Sequence, residues 1–68
     1  MHESLSERQS QILSLAIKGV ANKVIANQLN IAEGTVKAHL FNAYQLLGVS
    51  NRTEAAEIIR LDLSLIHI

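Results

Sequence analysis

Ammonium, amide and hydroxyl side chains cluster in the middle of the chain, at spacings that suit contact with a polyanion. Lysine supplies positive charge, and asparagine and threonine supply hydrogen-bonding groups that reach phosphate oxygens or the edges of bases. The residues concerned are Asn22, Lys23, Thr35, Lys37 and Asn42. This chemistry predicts contact with a nucleic acid.

The other polar residues do not indicate catalysis or metal binding. The chain has three histidines and no cysteine, and His39 has no acidic partner at metal-ligand spacing. Its serines, histidines and carboxylates form no set that suggests catalysis, and 68 residues leave little room for an enclosed pocket. We therefore expect no enzyme activity, no metal, no cofactor and no small-molecule ligand in this domain.

Two short helices must position the polar groups. Apolar residues fall at helical spacing in two runs, broken once between Asn30 and Ala32, so two amphipathic helices fold back on one apolar seam. Asn30 suits a left-handed turn, and Gly34 and Thr35 keep the start of the second helix slim. The arrangement predicts a helix-turn-helix. Its seam comprises Ile25, Ala26, Leu29, Ile31, Val36, Leu40, Ala43 and Leu47.

The second of these helices has an outer face opposite its seam residues. The outer face carries Lys37, Ala38, Phe41, Asn42 and Gln45. If this helix enters a major groove, Lys37 meets a guanine edge or a phosphate, and Phe41 meets a thymine methyl or a protein partner. The preceding helix would cross the DNA backbone, so Asn22 and Lys23 at its start suit phosphate, as does Thr35.

Flanking helices complete the domain. Ser6 and Gln9 have the capping-box spacing that starts a first helix, and Gly19 suits its end. Asn51 and Glu54 repeat the capping-box spacing and start a fourth helix. The apolar residues between these signals can close a single core.

The domain boundaries follow from these signals. We assign residues 1–5 to a frayed N-terminus, residues 6–63 to the domain and residues 64–68 to a tail of non-native character. A second apolar stripe on the fourth helix would remain exposed to solvent in a monomer. Because exposed apolar stripes often form interfaces, it predicts a weak homodimer. That stripe comprises Ile58, Leu61 and Leu65.

The six basic and six acidic residues cancel, which is unfavourable for binding a polyanion, but they are unevenly distributed. Residues 18–37 carry three lysines and one glutamate, a balance of +2, and residues 54–68 carry three acids and one arginine, a balance of −2. The candidate DNA face is therefore basic. The absence of cysteine, of a signal segment and of a membrane span favours a reducing, cytoplasmic location with no membrane partner.

Many of these residues also match a known family at fixed spacing. The matching positions are Leu5, Arg8, Leu13, Gly19, Asn22, Lys23, Ile25, Ala26, Leu29, Ile31, Thr35, Val36, Lys37, His39, Asn42, Leu47, Gly48, Val49, Arg52, Ala55 and Ala56. They resemble the LuxR-type (GerE-like) DNA-binding domain, the effector module at the carboxyl end of many bacterial response regulators and quorum-sensing regulators. The resemblance implies an all-α, four-helix domain with a central helix-turn-helix.

The same resemblance implies a function and further contacts. The domain would bind double-stranded DNA sequence-specifically and regulate transcription, either alone or behind a receiver or ligand-sensing domain. His39 would pack beside the core and donate to a phosphate. Lys18, because of its charge, is a further candidate phosphate contact. Arg52 matches the family, and it would either contact phosphate or have a structural role, bridging to an acid such as Glu54 or capping a helix end.

Two helix starts depart from the family pattern. Ala21 and Val24 replace the usual serine and glutamate at the second helix, and Ala32 replaces the usual serine at the third. Because each missing N-cap costs typically ~1 kcal/mol, we expect a looser domain or one whose helix starts are capped by phosphate.

An alternative function is a protein-binding helix-turn-helix module that dimerises with full-length regulators and antagonises them. The neutral charge, the aromatic Phe41 and Leu46 in place of a usual lysine favour this alternative. Ala43 replaces a larger apolar residue, so Phe41 or Tyr44 would have to fill the space beside it. The run from Thr35 to His39, with Asn22 and Lys23, favours DNA.

Overall fold

A computed structural model describes residues 5–61 as four helices around one core. They are α1 (Glu7–Ile17), α2 (Asn22–Leu29), α3 (Glu33–Leu47) and α4 (Arg52–Leu61), and the described residues contain no strand. The predicted all-α, four-helix fold is confirmed. Residues 1–4, residues 62–63 at the end of the predicted domain and the tail at 64–68 lie outside the described residues. No helix in the described range is long and apolar enough to cross a membrane.

The start of α1 is a complete capping box. The Ser6 hydroxyl accepts from the Gln9 backbone N–H at 3.0 Å, and the Ser6 N–H donates to Gln9 Oε1 at 2.9 Å. The first four N–H groups of a helix have no partner within the helix, and these two hydrogen bonds satisfy two of them. The prediction from the Ser6 and Gln9 spacing is confirmed.

Three helices end in the same motif. After each of them a residue with positive φ is followed by an apolar residue whose N–H donates to a carbonyl five residues earlier, which is the Schellman pattern. The positive φ values are 94° at Gly19, 59° at Asn30 and 73° at Gly48. The apolar residues that follow, Val20, Ile31 and Val49, all pack against the core. The helix ends thus also fix the turns, including the one inside the helix-turn-helix.

The core lies where α1 packs against the other three helices and where α3 packs against α2 and α4. It comprises Ile12, Leu13, Ala16, Ile25, Ala26, Val36, Leu40, Ala43, Ala55 and Ile59. Tyr44 packs against this cluster, whereas most of the Phe41 side chain is exposed. The apolar seam predicted for α2 and α3 is confirmed. Sequence periodicity did not predict that Ser10 and Ser14 of α1 are buried too.

The starts of α2 and α3 lack side-chain caps, as expected. Ala21 (φ −66°, ψ 149°) and Ala32 (φ −73°, ψ 149°) nevertheless hold the extended N-cap conformation that Ser6 adopts at α1. Only the side-chain oxygen that would accept from the first turn is missing, because alanine has none. The backbone at both positions already suits a capping serine.

Replacement of Ala32 or Ala21 by serine should therefore stabilise the fold, each by ~1 kcal/mol in the free energy of unfolding. Chemical denaturation followed by circular dichroism measures this change. Ser6→Ala should lower stability by a similar amount, and Ala38→Ser, at an exposed position inside α3, should not raise it. Equal stability of the wild type and both new serine variants would show that these helix starts gain nothing from a cap.

Candidate nucleic-acid interface

The two faces of α3 differ sharply in exposure. Val36, Leu40 and Ala43 are buried. The residues predicted for the outer face, Lys37, Ala38, Phe41, Asn42 and Gln45, are all exposed. The division of α3 into a core face and an outer face is confirmed, while DNA contact by the outer face stays a prediction.

The first turn of α3 offers an open approach. Thr35 is exposed, and a Cβ atom added at Gly34 would meet no other atom within 4 Å. The domain itself therefore does not require a small residue at Gly34. The slim helix start predicted from Gly34 and Thr35 matters only to a molecule that approaches from outside.

A groove beside α3 brings several predicted site residues together. It measures about 400 Å³ and lies between α3 and the first turns of α2 and α4. Asn22, Lys37, Phe41 and Arg52 line it, so residues from three helices share one surface. Because the groove carries a lysine, an arginine and an amide, it is suited to an anionic partner.

Arg52 and Asn22 are joined across this groove. The Arg52 Nη2 atom donates to Asn22 Oδ1 at 3.3 Å, and this pair is partly buried. No other side-chain hydrogen bond among residues 5–61 spans so much sequence. Since α2 and α4 do not otherwise pack together in that range, the bond links their first turns directly. With its Oδ1 occupied, Asn22 keeps an amide N–H group available as a donor.

Of the alternatives for Arg52, the bridge to Glu54 is not formed in the described part of the chain. The Glu54 carboxylate instead accepts from the Ser50 backbone N–H at 2.7 Å, and the Glu54 N–H donates to Asn51 Oδ1 at 2.9 Å. Asn51 therefore caps α4 as predicted, but the return bond reaches Ser50 rather than Asn51. The Glu54 carboxylate is thus bound at the start of α4, and Arg52 donates to Asn22 instead.

The other predicted phosphate contacts lie apart from this groove. Lys23 is exposed in the first turn of α2, and His39 is half-buried on α3. Lys18 is exposed and lines a separate groove of about 730 Å³ between α1 and α2, together with Arg8 and Glu7. Lys18 therefore shares its groove with an acid, whereas none of the described residues that line the groove of Lys37 is acidic.

The proposed dimer stripe is only partly described. Ile58 is half-buried, so part of its side chain is available on the surface of α4. The side chain of Leu61 and all of Leu65 lie outside the described residues. Dimerisation through this stripe stays a prediction.

Sequence reasoning missed three residues that line the groove beside α3. They are Tyr44, Ser50 and Asn51. Tyr44 lies seven residues after Lys37, which places both near one side of α3, and that spacing was a usable signal. Ser50 and Asn51 precede α4, and their place in the groove depends on how α4 packs against α3.

The chain is a helix-turn-helix domain. It has four helices, α2 and α3 form the central helix-turn-helix, and the outer face of α3 is exposed. The family model described as bacterial regulatory proteins, luxR family, matches residues 3–59. The chain belongs to this family, which consists of non-enzymatic DNA-binding domains of transcriptional regulators. The family expected from the sequence is confirmed.

Similar proteins are regulators of greater length. The chain is 49% identical over 59 residues to YhjB of Escherichia coli (strain K12), and 45% identical over 53 residues to MalT of Yersinia pestis (strain Pestoides F), both named as HTH-type transcriptional regulators. These matches cover 87% and 78% of this chain but 30% and 6% of the relatives.

A solved structure agrees with these matches. The response regulator ChrA of a heme-sensing two-component system superposes with a TM-score of 0.85 at 41% identity. The superposition covers 97% of this chain and 32% of ChrA. The chain therefore spans a third or less of the length of these three proteins.

Proposed function

We propose that this domain binds duplex DNA sequence-specifically, with α3 in the major groove, and thereby regulates transcription. The observation that carries the proposal is the exposed outer face of α3 beside a groove that holds Lys37 and Arg52. Membership of the luxR family supports it. The domain would act in the cytoplasm, either alone or as the C-terminal effector of a longer response-regulator or quorum-sensing protein, and the likeness to ChrA favours the response-regulator form.

The predicted contact residues divide into base contacts and phosphate contacts in this proposal. Lys37 donates to guanine O6 or N7, and Ala38 and Asn42 face neighbouring base edges. The phosphate contacts come from Asn22, Lys23, Thr35 and His39, with Lys18 at the edge of the interface. Arg52 holds Asn22 in place, and its remaining guanidinium N–H groups can donate to a phosphate.

Saturable binding of a labelled duplex at low salt, followed by fluorescence anisotropy, tests the proposal. A folded chain that binds no duplex would favour the alternative, a module that pairs with full-length regulators. That alternative is supported by three exposed apolar side chains, Val24, Phe41 and Leu46. It does not explain the cationic groove.

The domain would also form a weak homodimer through α4, since dimeric helix-turn-helix proteins read paired half-sites. Ile58→Glu should then weaken self-association without unfolding the domain, because a half-buried apolar side chain is replaced by a charge. Analytical ultracentrifugation over a concentration series measures this. The control is Thr53→Glu, which adds the same charge at an exposed position of α4. A wild-type chain that stays monomeric at high concentration would exclude the dimer.

A further inference from the structure

Phe41 is the most exposed large apolar side chain in the described part of the domain. It retains 61% of its accessible surface, compared with 44% for Val24 and 38% for Leu46. Tyr44, the other aromatic residue of α3, is half-buried and packs against the core. Phe41 therefore contributes little to the core and is available to a partner.

The surroundings of Phe41 select the kind of partner. Phe41 lines the groove beside α3 with Lys37 on its own helix and with Asn22 and Arg52 from the starts of α2 and α4. None of the described residues that line this groove is acidic. An apolar protein surface would have to cover both cations and leave them without counter-charges, which is costly. Duplex DNA supplies phosphates for the cations and an apolar group for the ring.

We infer that Phe41 is a specificity-determining residue that contacts the C5 methyl group of a thymine in the major groove. The inference rests on the proposed function, because it places α3 in that groove. A phenyl ring cannot form the hydrogen bonds by which base edges are usually read, and the thymine methyl is the apolar group that the major groove displays. Phe41 thus selects the methyl group of thymine, whereas a lysine or serine at this position would donate to any base-edge acceptor within reach.

The position of this thymine follows from helix geometry. Phe41 lies four residues after Lys37 on the same face of α3, a rise of about 6 Å along the helix axis. Successive base pairs are separated by about 3.4 Å along the duplex axis. With α3 lying along the groove, the thymine falls about two base pairs from the guanine bound by Lys37.

Replacement of single thymines by deoxyuridine tests the contact, because deoxyuridine lacks only the methyl group. On a duplex chosen by selection from random sequences, one such replacement should weaken wild-type binding about fourfold, the loss expected for one buried methyl group. Replacement at thymines away from that position is the DNA control. Phe41→Ala should bind the two duplexes equally, and Phe41→Leu, which keeps an apolar side chain, should retain part of the preference.

The outcomes separate this inference from the proposed function. If the wild type binds no duplex, the proposed function fails and the thymine contact fails with it. If the wild type binds a selected duplex but tolerates deoxyuridine at every thymine, the function stands and the role of Phe41 is wrong. The role is also wrong if Phe41→Ala keeps the full methyl preference. A fourfold loss that disappears in Phe41→Ala supports the inference.

Discussion

Lys37→Ala should weaken binding to a preferred duplex by ~1–3 kcal/mol and flatten the preference at one base position. Lys37 is exposed on the outer face of α3, and its ammonium group can donate to guanine O6 or N7. Alanine removes this donor but preserves the helix, because alanine has the highest helix propensity and Lys37 is exposed. Selection of sites from a random duplex pool, followed by affinity measurements on the best site, tests both effects.

The matched control for Lys37→Ala is Gln45→Ala, two turns further along the same exposed face. A neutral side chain near the end of α3 should change affinity much less, since it carries no charge. If Lys37→Ala lowered affinity equally for all sequences and left the selected motif unchanged, Lys37 would contact phosphate. The assignment of the base-reading face would then be wrong.

The helices of this domain could be predicted from the sequence because their signals are local. Apolar spacing gave the seam of α2 and α3, and the Ser6 and Gln9 spacing gave the start of α1. Asn30 occupies the left-handed turn expected between α2 and α3. Each of these features depends on residues within a few positions of one another. Helical periodicity and capping rules describe that range well.

The contacts that shape the groove could not be predicted in this way. Asn22 and Arg52 are thirty residues apart, and their hydrogen bond requires α2 and α4 to reach their final positions first. Arg52 had a nearer acid in the sequence, Glu54, but the start of α4 holds that carboxylate at Ser50. Local pairing rules therefore gave the wrong partner. The burial of Ser10 was missed because a serine carries no apolar signal.

The affinity for duplex DNA should fall steeply with salt. Lys23 and Lys37 are exposed and place two positive charges at the duplex, whether they bind a phosphate or a base edge. One to three further cations from Arg8, Lys18 and Arg52 would bring the phosphate charges neutralised to about three to five per domain. Each neutralised phosphate releases bound counterions, so log K should fall against log salt with a slope of about −3 to −4.5. Between 50 and 200 mM salt the affinity should drop by roughly 60-fold to 500-fold.

A salt titration of duplex binding, followed by fluorescence anisotropy, tests most directly whether this surface binds DNA. The control is Lys23→Ala, which removes one exposed cation from the first turn of α2 and should flatten the slope by about 0.9. Circular dichroism on the same samples establishes that both proteins are folded. We expect wild-type binding with a slope of about −3 to −4.5. A folded wild type that binds no duplex at the lowest salt, or binds with no dependence on salt, would contradict DNA recognition by this domain.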